Sequence, residues 1–139
     1  MRYYLDTNIL IFMLSGNKDD INVDVLHILE DYANILFTSS IAITELVFLY
    51  KSEKLRFLAF KNEKEMLKYL TESLNIEIVY FNKRHFNDYT SLQIAKDHKD
   101  MNDHAIISQA IADKTALISS DRKFDFYKKQ GLNFIYNKR

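Results

Sequence analysis

The sequence contains no cysteine and no proline, and it has only two glycines, Gly16 and Gly131, in 139 residues. Without cysteine the chain has neither disulfides nor thiolate metal sites, which fits a protein of a reducing compartment. Because few residues break secondary structure, the composition favours a helix-rich fold. The glycine-rich loop of P-loop proteins is also absent, so that mode of nucleotide binding is not expected.

The chain also lacks an excess of either charge and any long apolar segment. Its 19 basic and 19 acidic side chains give a net charge of +0, which argues against a protein that holds nucleic acid by bulk charge. A nuclease is still compatible with this balance, because a metal cluster attracts phosphate locally. No apolar run could span a bilayer, and no signal-peptide segment begins the chain. We therefore expect a cytoplasmic protein without membrane association.

Short apolar runs alternate with longer amphipathic segments along the whole chain. Length and β-branched or aromatic content predict five strands, at Arg2–Leu5, Ile35–Phe37, Ile76–Val79, Ala116–Ser119 and Phe134–Tyr136. Helical periodicity predicts helices at Asn8–Leu14 with Thr7 as N-cap, Asn22–Tyr32, Ser40–Lys51, Glu53–Leu74, Lys83–Lys96 and Asn102–Asp113. Repeated strand–helix–strand order predicts right-handed βαβ units. The expected fold is α/β: one domain over residues 1–139, with a parallel sheet of about five strands flanked by helices on both faces.

Four carboxylates lie at the edges of apolar elements, where a folding argument alone would not place them. A carboxylate buried without a partner costs several kcal/mol or is neutralised. In open parallel sheets, ligands bind beyond the carboxyl ends of the strands, so acids that follow strands meet at one edge. The four are Asp6 after the first strand, Glu45 inside an apolar helix, Asp103 at the start of the last long helix, and Asp121 after the fourth strand. Together they predict a cluster around a divalent metal ion.

Each acid also has a purely structural explanation. Asp6-Thr7-Asn8 is typical of a strand end followed by a helix cap, and Ser119-Ser120-Asp121 is typical of a polar loop. Asp100 and Asp103 can begin a helix as its N-cap and N3 residues. Asp103 nevertheless continues the buried stripe of its helix and is expected to point inward, while Glu45 lies beyond the position that completes a capping box.

An all-oxygen site of this kind favours hard ions, Mg²⁺ or Mn²⁺, over zinc. One or two such ions can hold a phosphodiester, activate water and stabilise the leaving oxygen. The four histidines lack a metal-binding spacing and are interpreted as surface or structural residues, with His98 and His104 notable only for their proximity to Asp103. The residues thus predict metal-dependent phosphoryl transfer or phosphodiester hydrolysis, with RNA and DNA both open.

The order and spacing of these motifs resemble a PIN domain, and most closely the VapC-like toxins of type II toxin–antitoxin pairs. The resemblance covers essentially the whole chain through Asp6-Thr7-Asn8-Ile9-Leu10, Thr44-Glu45, the block from Asp100 to Ala110, and Ser120-Asp121-Arg122-Lys123-Phe124. It implies a Mg²⁺-dependent endoribonuclease, with Mn²⁺ as a substitute ion. It also implies an RNA substrate, a cognate antitoxin protein and a homodimer, with the antitoxin contact expected on Glu53–Leu74.

The resemblance also implies roles for individual residues. Asp6, Glu45, Asp103 and Asp121 would form the catalytic pocket. Asp6 and Asp103 would be the principal metal ligands, Asp121 would complete or water-bridge the coordination, and Glu45 would orient water or hold a second ion. Groups that support these acids would be Thr7, Asn8 and Ser120. The chain has Ser119-Ser120 where the family often has Thr-Asn, and Met101-Asn102 where relatives have a proline–aromatic pair.

Other functions remain as alternatives. One is a housekeeping PIN-domain RNA-processing nuclease without an antitoxin. A carboxylate–Mg²⁺ phosphatase of the haloacid-dehalogenase type would need a second Asp two positions after the first, where this chain has Asn8. A receiver domain would need an acceptor Asp after a middle strand, and Phe37-Thr38-Ser39 offers none. The four intact acids disfavour a PIN domain that acts only as a scaffold.

Overall fold

The computed structural model describes residues 1–139 and contains one sheet of five parallel strands in the order β3-β2-β1-β4-β5. The strands are β1 (Arg2–Leu5), β2 (Ile35–Ser39), β3 (Ile76–Val79), β4 (Ala116–Ser119) and β5 (Phe134–Tyr136). The predicted α/β class and all five strands are confirmed. Only β2 differs in length, since it continues to Ser39, the residue that caps the next helix.

Helices connect these strands. The α-helices are α1 (Thr7–Ser15), α2 (Val23–Glu30), α3 (Ser40–Lys51), α4 (Glu63–Lys68), α5 (Lys83–Ser91) and α6 (Met101–Ala112). Short 3-10 segments cover Lys18–Asp20 and Arg122–Gln130, and a π-helical turn at Tyr69–Ser73 continues α4. No helix combines the length and apolarity needed to cross a membrane.

The central strands β1 and β4 are the most deeply buried part of the sheet. All four residues of β4 are buried, as are the last three of β1. Because successive side chains of a strand point to opposite faces, burial of consecutive residues means that both faces are covered. This explains why these strands are continuous apolar runs rather than alternating ones.

Two predicted helices are shorter than expected because tertiary contacts replace helical hydrogen bonds. The segment Glu53–Leu74 is helical only from Glu63, and Glu53 itself adopts a positive φ of 62°. In the intervening loop Phe57 and Phe60 are buried, and Phe57 stacks on Tyr50 of α3 at 6.3 Å between ring centroids. Burial of these two rings therefore outweighs the helical pattern of the sequence.

The predicted helix Lys83–Lys96 ends at Ser91. Gln93 instead pairs with Gln130, its N–H donating to Gln130 Oε1 at 2.9 Å and its carbonyl accepting from Gln130 Nε2 at 2.8 Å. Ala95 donates its N–H to the Tyr127 hydroxyl at 3.2 Å. These bonds hold the loop before α6 against the 3-10 helix Arg122–Gln130, which the sequence did not predict.

Helix caps decide the remaining boundaries. The sequence predicts Thr7 as the N-cap of α1, but that position belongs to Asp6, whose side chain accepts from the N–H of Thr7. The prediction of Asp100 as N-cap of α6 is confirmed, since its carboxylate accepts from Asn102 and Asp103 N–H. Both caps are acids at the start of a helix, where the partial positive charge of the helix end favours them.

Candidate metal centre

Asp6 lies between the two central strands, at their carboxyl ends. Leu5 pairs with Ile118 in the sheet, and the Asp6 N–H donates to the Ile118 carbonyl at 3.0 Å. The Asp6 side chain is buried, with the residue 3% exposed. Its Oδ1 accepts from Thr7 N–H at 2.8 Å, and its Oδ2 accepts from the Ser119 hydroxyl at 2.7 Å and from Asn8 Nδ2 at 3.1 Å. The orientation of this carboxylate is therefore fixed by three donors.

Ser119, the last residue of β4, joins two of the predicted acids. Its hydroxyl donates to Asp6 and accepts the N–H of Asp121 at 3.0 Å. Asn8 stabilises the same turn, since its Oδ1 accepts from Ser120 N–H at 3.2 Å. The sequence pointed to Ser120, whose hydroxyl instead accepts from Asn137 Nδ2 at 2.7 Å.

Asp121 begins the 3-10 helix Arg122–Gln130, and its Oδ1 accepts the N–H of Lys123 at 3.0 Å. Its other carboxylate oxygen makes no hydrogen bond within the chain. Asp125, another acid of this helix, pairs instead with Lys128 at 3.0 Å on the surface. Asp121 is the acid of this segment that lies close to Asp103.

Asp103 and Glu45 reach the same region from two packed helices, α6 and α3. Asp103 lies in the first turn of α6, and its Oδ2 is 2.8 Å from His98 Nε2. Glu45 is half-buried in the second turn of α3, and its Oε2 accepts from Asn102 Nδ2 at 3.2 Å. Asn102 therefore ties α6 to α3 at the site.

The electrostatics of the site show that these acids share one region. Burial, together with the charges of Asp103 and Glu45, raises the pKa of Asp6 to about 7. Burial, together with the charges of Asp100, Asp121 and Glu45, raises the pKa of Asp103 to about 7 as well. None of the four predicted acids forms an ion pair with a lysine or an arginine. Lys123 offsets only part of the negative charge at Asp103, whose pKa stays raised.

Three side chains of the region lie close enough to share a metal ion. The ligand atoms of His98, Asp103 and Asp121 all lie within 4.8 Å of one another. Asp6 is not part of this trio, but it lies near enough to Asp103 that the charge of Asp103 raises the pKa of Asp6. Nearby, the buried Thr7 hydroxyl has no hydrogen-bond partner. Carboxylate and hydroxyl oxygens are hard donors that suit Mg²⁺ or Mn²⁺, so the residues present fit such an ion.

Three of the four histidines, which the sequence suggested are surface or structural residues, are buried: His85, His98 and His104. His104 donates from Nε2 to the His98 carbonyl at 2.8 Å, and burial lowers its pKa. His98 is different, because it contacts Asp103 directly. Sequence reasoning thus missed three contacts to the acids, those of His98, Ser119 and Asn102. The available signal was only their nearness in sequence to Asp103 and Asp121.

The fold and the site together define a class of protein: an α/β domain with a pocket of carboxylates at the carboxyl edge of its parallel sheet. The chain belongs to the PIN domain family, whose model matches residues 3–130. Comparison with curated protein sequences gives no significant match.

Several solved structures are similar to this chain. The VapBC2 complex of Rickettsia felis, bound to a DNA fragment from its promoter, has a TM-score of 0.67 and 23% identity, over 99% of this chain and 100% of that chain. FitAcB from Neisseria gonorrhoeae has a TM-score of 0.67 and 21% identity, over 97% of this chain and 96% of that chain. A toxin–antitoxin complex from Klebsiella pneumoniae has a TM-score of 0.63 and 21% identity, over 94% of each chain. At these identities the similarity establishes the fold.

Proposed function

We propose that this chain is a Mg²⁺-dependent endoribonuclease, with Mn²⁺ as a substitute ion, and the toxin of a cytoplasmic type II toxin–antitoxin pair. Asp6 and Asp103 carry the proposal: Asp6 is buried, Asp103 is half-buried, the charge of Asp103 raises the pKa of Asp6, and neither acid pairs with a lysine or an arginine. A domain that only needed stability would gain by replacing such acids with neutral residues. Their presence is explained by a bound divalent cation.

Asp6, Asp103 and Asp121 are the residues that would hold the ion. A divalent ion of this kind activates a water molecule and stabilises the leaving oxygen of a phosphodiester. Ser119 would support two of the ligands at once, because its hydroxyl bonds Asp6 and the backbone of Asp121. Asn8 would hold the two strand ends together through Asp6 and Ser120.

Glu45 would act on the attacking water rather than as a principal ligand. Asn102 holds one of its oxygens. A carboxylate held in this way can orient a water molecule or take up its proton. Thr7, whose buried hydroxyl lacks a partner, would supply a further hydrogen bond beside Asp6.

The choice of RNA as substrate is supported by the resemblance to VapC-like toxins. Similar structures include VapBC complexes and a toxin–antitoxin complex, which supports an antitoxin partner for this chain. A cleft of about 590 Å³ between α1, α2 and the π-helical turn is lined mainly by hydrophobic side chains, among them Phe12, Leu29, Tyr69 and Leu74. Tyr69 and Leu74 belong to the region Glu53–Leu74 predicted for antitoxin contact, so we propose this cleft as part of that contact. We also propose a homodimer.

Cleavage of RNA by the purified chain tests the enzymatic part. The parent with Mg²⁺ or Mn²⁺ should cut RNA internally and leave 5′-phosphate and 3′-hydroxyl ends, and EDTA should stop the reaction. Asp6→Asn should reduce cleavage at least about 100-fold, because a bound divalent ion contributes several kcal/mol of transition-state stabilisation. Asp125→Asn, which removes an exposed acid paired with Lys128, is the matched control and should cleave like the parent. Equal cleavage by Asp6→Asn and the parent would show that the proposed site is wrong.

Growth of cells tests the toxin part separately. Expression of the parent should arrest growth, and Asp6→Asn should not. Co-expression of the small protein encoded by an adjacent open reading frame should restore growth, and that protein should co-purify with the chain. Normal growth despite active ribonuclease in the lysate would contradict the toxin assignment and leave the nuclease assignment intact.

A further inference from the structure

His98 lies in the loop before α6, and both of its ring nitrogens are engaged. Nε2 is 2.8 Å from Asp103 Oδ2, and Nδ1 is 3.0 Å from the Tyr127 hydroxyl. The side chain of His98 is only 3% exposed. The imidazole therefore bridges a proposed metal ligand on α6 and a buried tyrosine of the 3-10 helix Arg122–Gln130.

The hydrogens along this bridge can be assigned from donor and acceptor chemistry. The ionised carboxylate of Asp103, which is the form that binds a metal, only accepts, so in that form the hydrogen between His98 and Asp103 is on Nε2. In a neutral imidazole Nδ1 is then bare and accepts from the Tyr127 hydroxyl. The Tyr127 oxygen in turn accepts the N–H of Ala95 at 3.2 Å. The bonds run in one direction, from Ala95 through Tyr127 and His98 to Asp103.

Packing fixes the ring in this position. The His98 ring lies 4.9 Å from that of His104 and 5.8 Å from that of Phe124, measured between centroids. The His98 backbone is held as well, since its carbonyl accepts from His104 Nε2 and its N–H donates to the Ala95 carbonyl at 3.1 Å. These contacts hold both the loop and the ring in place beside Asp103.

We propose that His98, backed by Tyr127, is a positioning residue that holds one oxygen of Asp103 and so presents the other oxygen to the divalent ion. The inference rests on the function proposed above. His98 is not itself assigned as a ligand, although its Nε2 lies within 4.8 Å of the ligand atoms of Asp103 and Asp121. A nitrogen that donates its hydrogen to Asp103 has no lone pair for a metal. Hydrogen-bond partners of metal ligands typically contribute 10- to 100-fold to metal affinity or activity.

Calorimetric titration of the full chain with Mn²⁺ tests this role without using activity. His98→Phe keeps an aromatic ring beside Phe124 but removes the donor, and should weaken Mn²⁺ binding at least 10-fold. His98→Gln retains an N–H that can reach Asp103 and should bind close to the parent. Tyr127→Phe removes the hydroxyl behind the ring and should give an intermediate loss. Circular dichroism establishes that each variant is folded.

Asp103→Asn separates failure of this inference from failure of the proposed function. If Asp103→Asn loses Mn²⁺ binding while a folded His98→Phe binds like the parent, the positioning role is overturned and the metal site stands. If His98→Gln binds as poorly as His98→Phe, donation to Asp103 is overturned as the reason for the effect. If the parent itself binds no Mn²⁺, both proposals are overturned. In the RNA cleavage assay, His98→Phe should lower kcat and leave the KM for RNA close to that of the parent.

Discussion

Replacing Asp6 by Asn should stabilise the metal-free protein at alkaline pH while removing the benefit of Mg²⁺. The pKa of Asp6 is raised from 3.8 to about 7, which corresponds to about 4 kcal/mol of unfavourable free energy for the charged form in the folded state. The new side-chain NH₂ group would take the place of Oδ2, which now accepts from two of the three donors, the Asn8 amide and the Ser119 hydroxyl. Loss of these bonds costs about 1–2 kcal/mol. The expected net gain is on the order of 2 kcal/mol.

The sign of the effect should reverse with pH. Because the folded-state pKa is the higher one, the folded protein binds the Asp6 proton more tightly than the unfolded chain, and the parent loses stability as pH rises from about 4 to about 7. Asp6→Asn should avoid most of this loss of stability, because asparagine has no proton to release in this pH range. At about pH 8 the variant should melt roughly 6 °C higher than the parent in EDTA, and at about pH 4 it should melt at or below the parent.

Thermal unfolding with EDTA and with Mg²⁺, each at both pH values, measures these differences. Mg²⁺ should raise the melting temperature of the parent, since a ligand of the folded state alone stabilises it by mass action, and should leave that of Asp6→Asn unchanged. Asp125→Asn is the control: its carboxylate is 63% exposed and paired with Lys128, so its effect should stay below about 0.5 kcal/mol at either pH. A variant that melts below the parent by the same amount at both pH values would refute the reasoning.

Two further predictions concern stability away from the pocket. Burial would raise the pKa of Asp113, but hydrogen bonds from Tyr4, His85 and Arg84 outweigh burial and lower it. Asp113→Asn should therefore lower the free energy of unfolding by about 2 kcal/mol at neutral pH. Urea titrations should show that this loss shrinks as pH falls below about 4. Gly131 has a φ of +104°, farther from the left-handed helical region near +57° than the +68° of Gly16, and a Cβ at either position would meet no contact closer than 3.7 Å. Gly131→Ala should lower the free energy of unfolding by about 1–2 kcal/mol, more than Gly16→Ala, and equal losses would contradict a backbone origin.

The sheet was predictable from the sequence because the apolar residues of each strand indicate by themselves that the strand is buried. The runs ending in Leu5 and Ser119 are apolar on both faces, and only a central parallel strand satisfies such a run. The cap at Asp100 was predictable for a similar reason, since its hydrogen bonds go to residues two and three positions away. Features with a local cause can be identified within one segment of the sequence.

The missed features have causes that are distant in sequence. The loop after α3 is non-helical because Phe57 and Phe60 bury their rings against Tyr50 and Tyr69. Ser119 contacts Asp6 only because β1 and β4 are neighbours in the sheet, 113 positions apart in the chain. The order β3-β2-β1-β4-β5 decides these contacts, and periodicity within a segment carries no information about that order.

The central place of β4 beside β1 has a consequence for synthesis of the protein. The sheet pairs a strand from the start of the chain with one near its end, and Asp121 follows that late strand. A nascent chain therefore holds Asp6 and Glu45 long before Asp103 and Asp121 have left the ribosome. For the proposed ribonuclease, made beside messenger and ribosomal RNA, the catalytic pocket is incomplete until β4 and Asp121 have been synthesised. Strand order thus delays the proposed activity until these later residues can join β1.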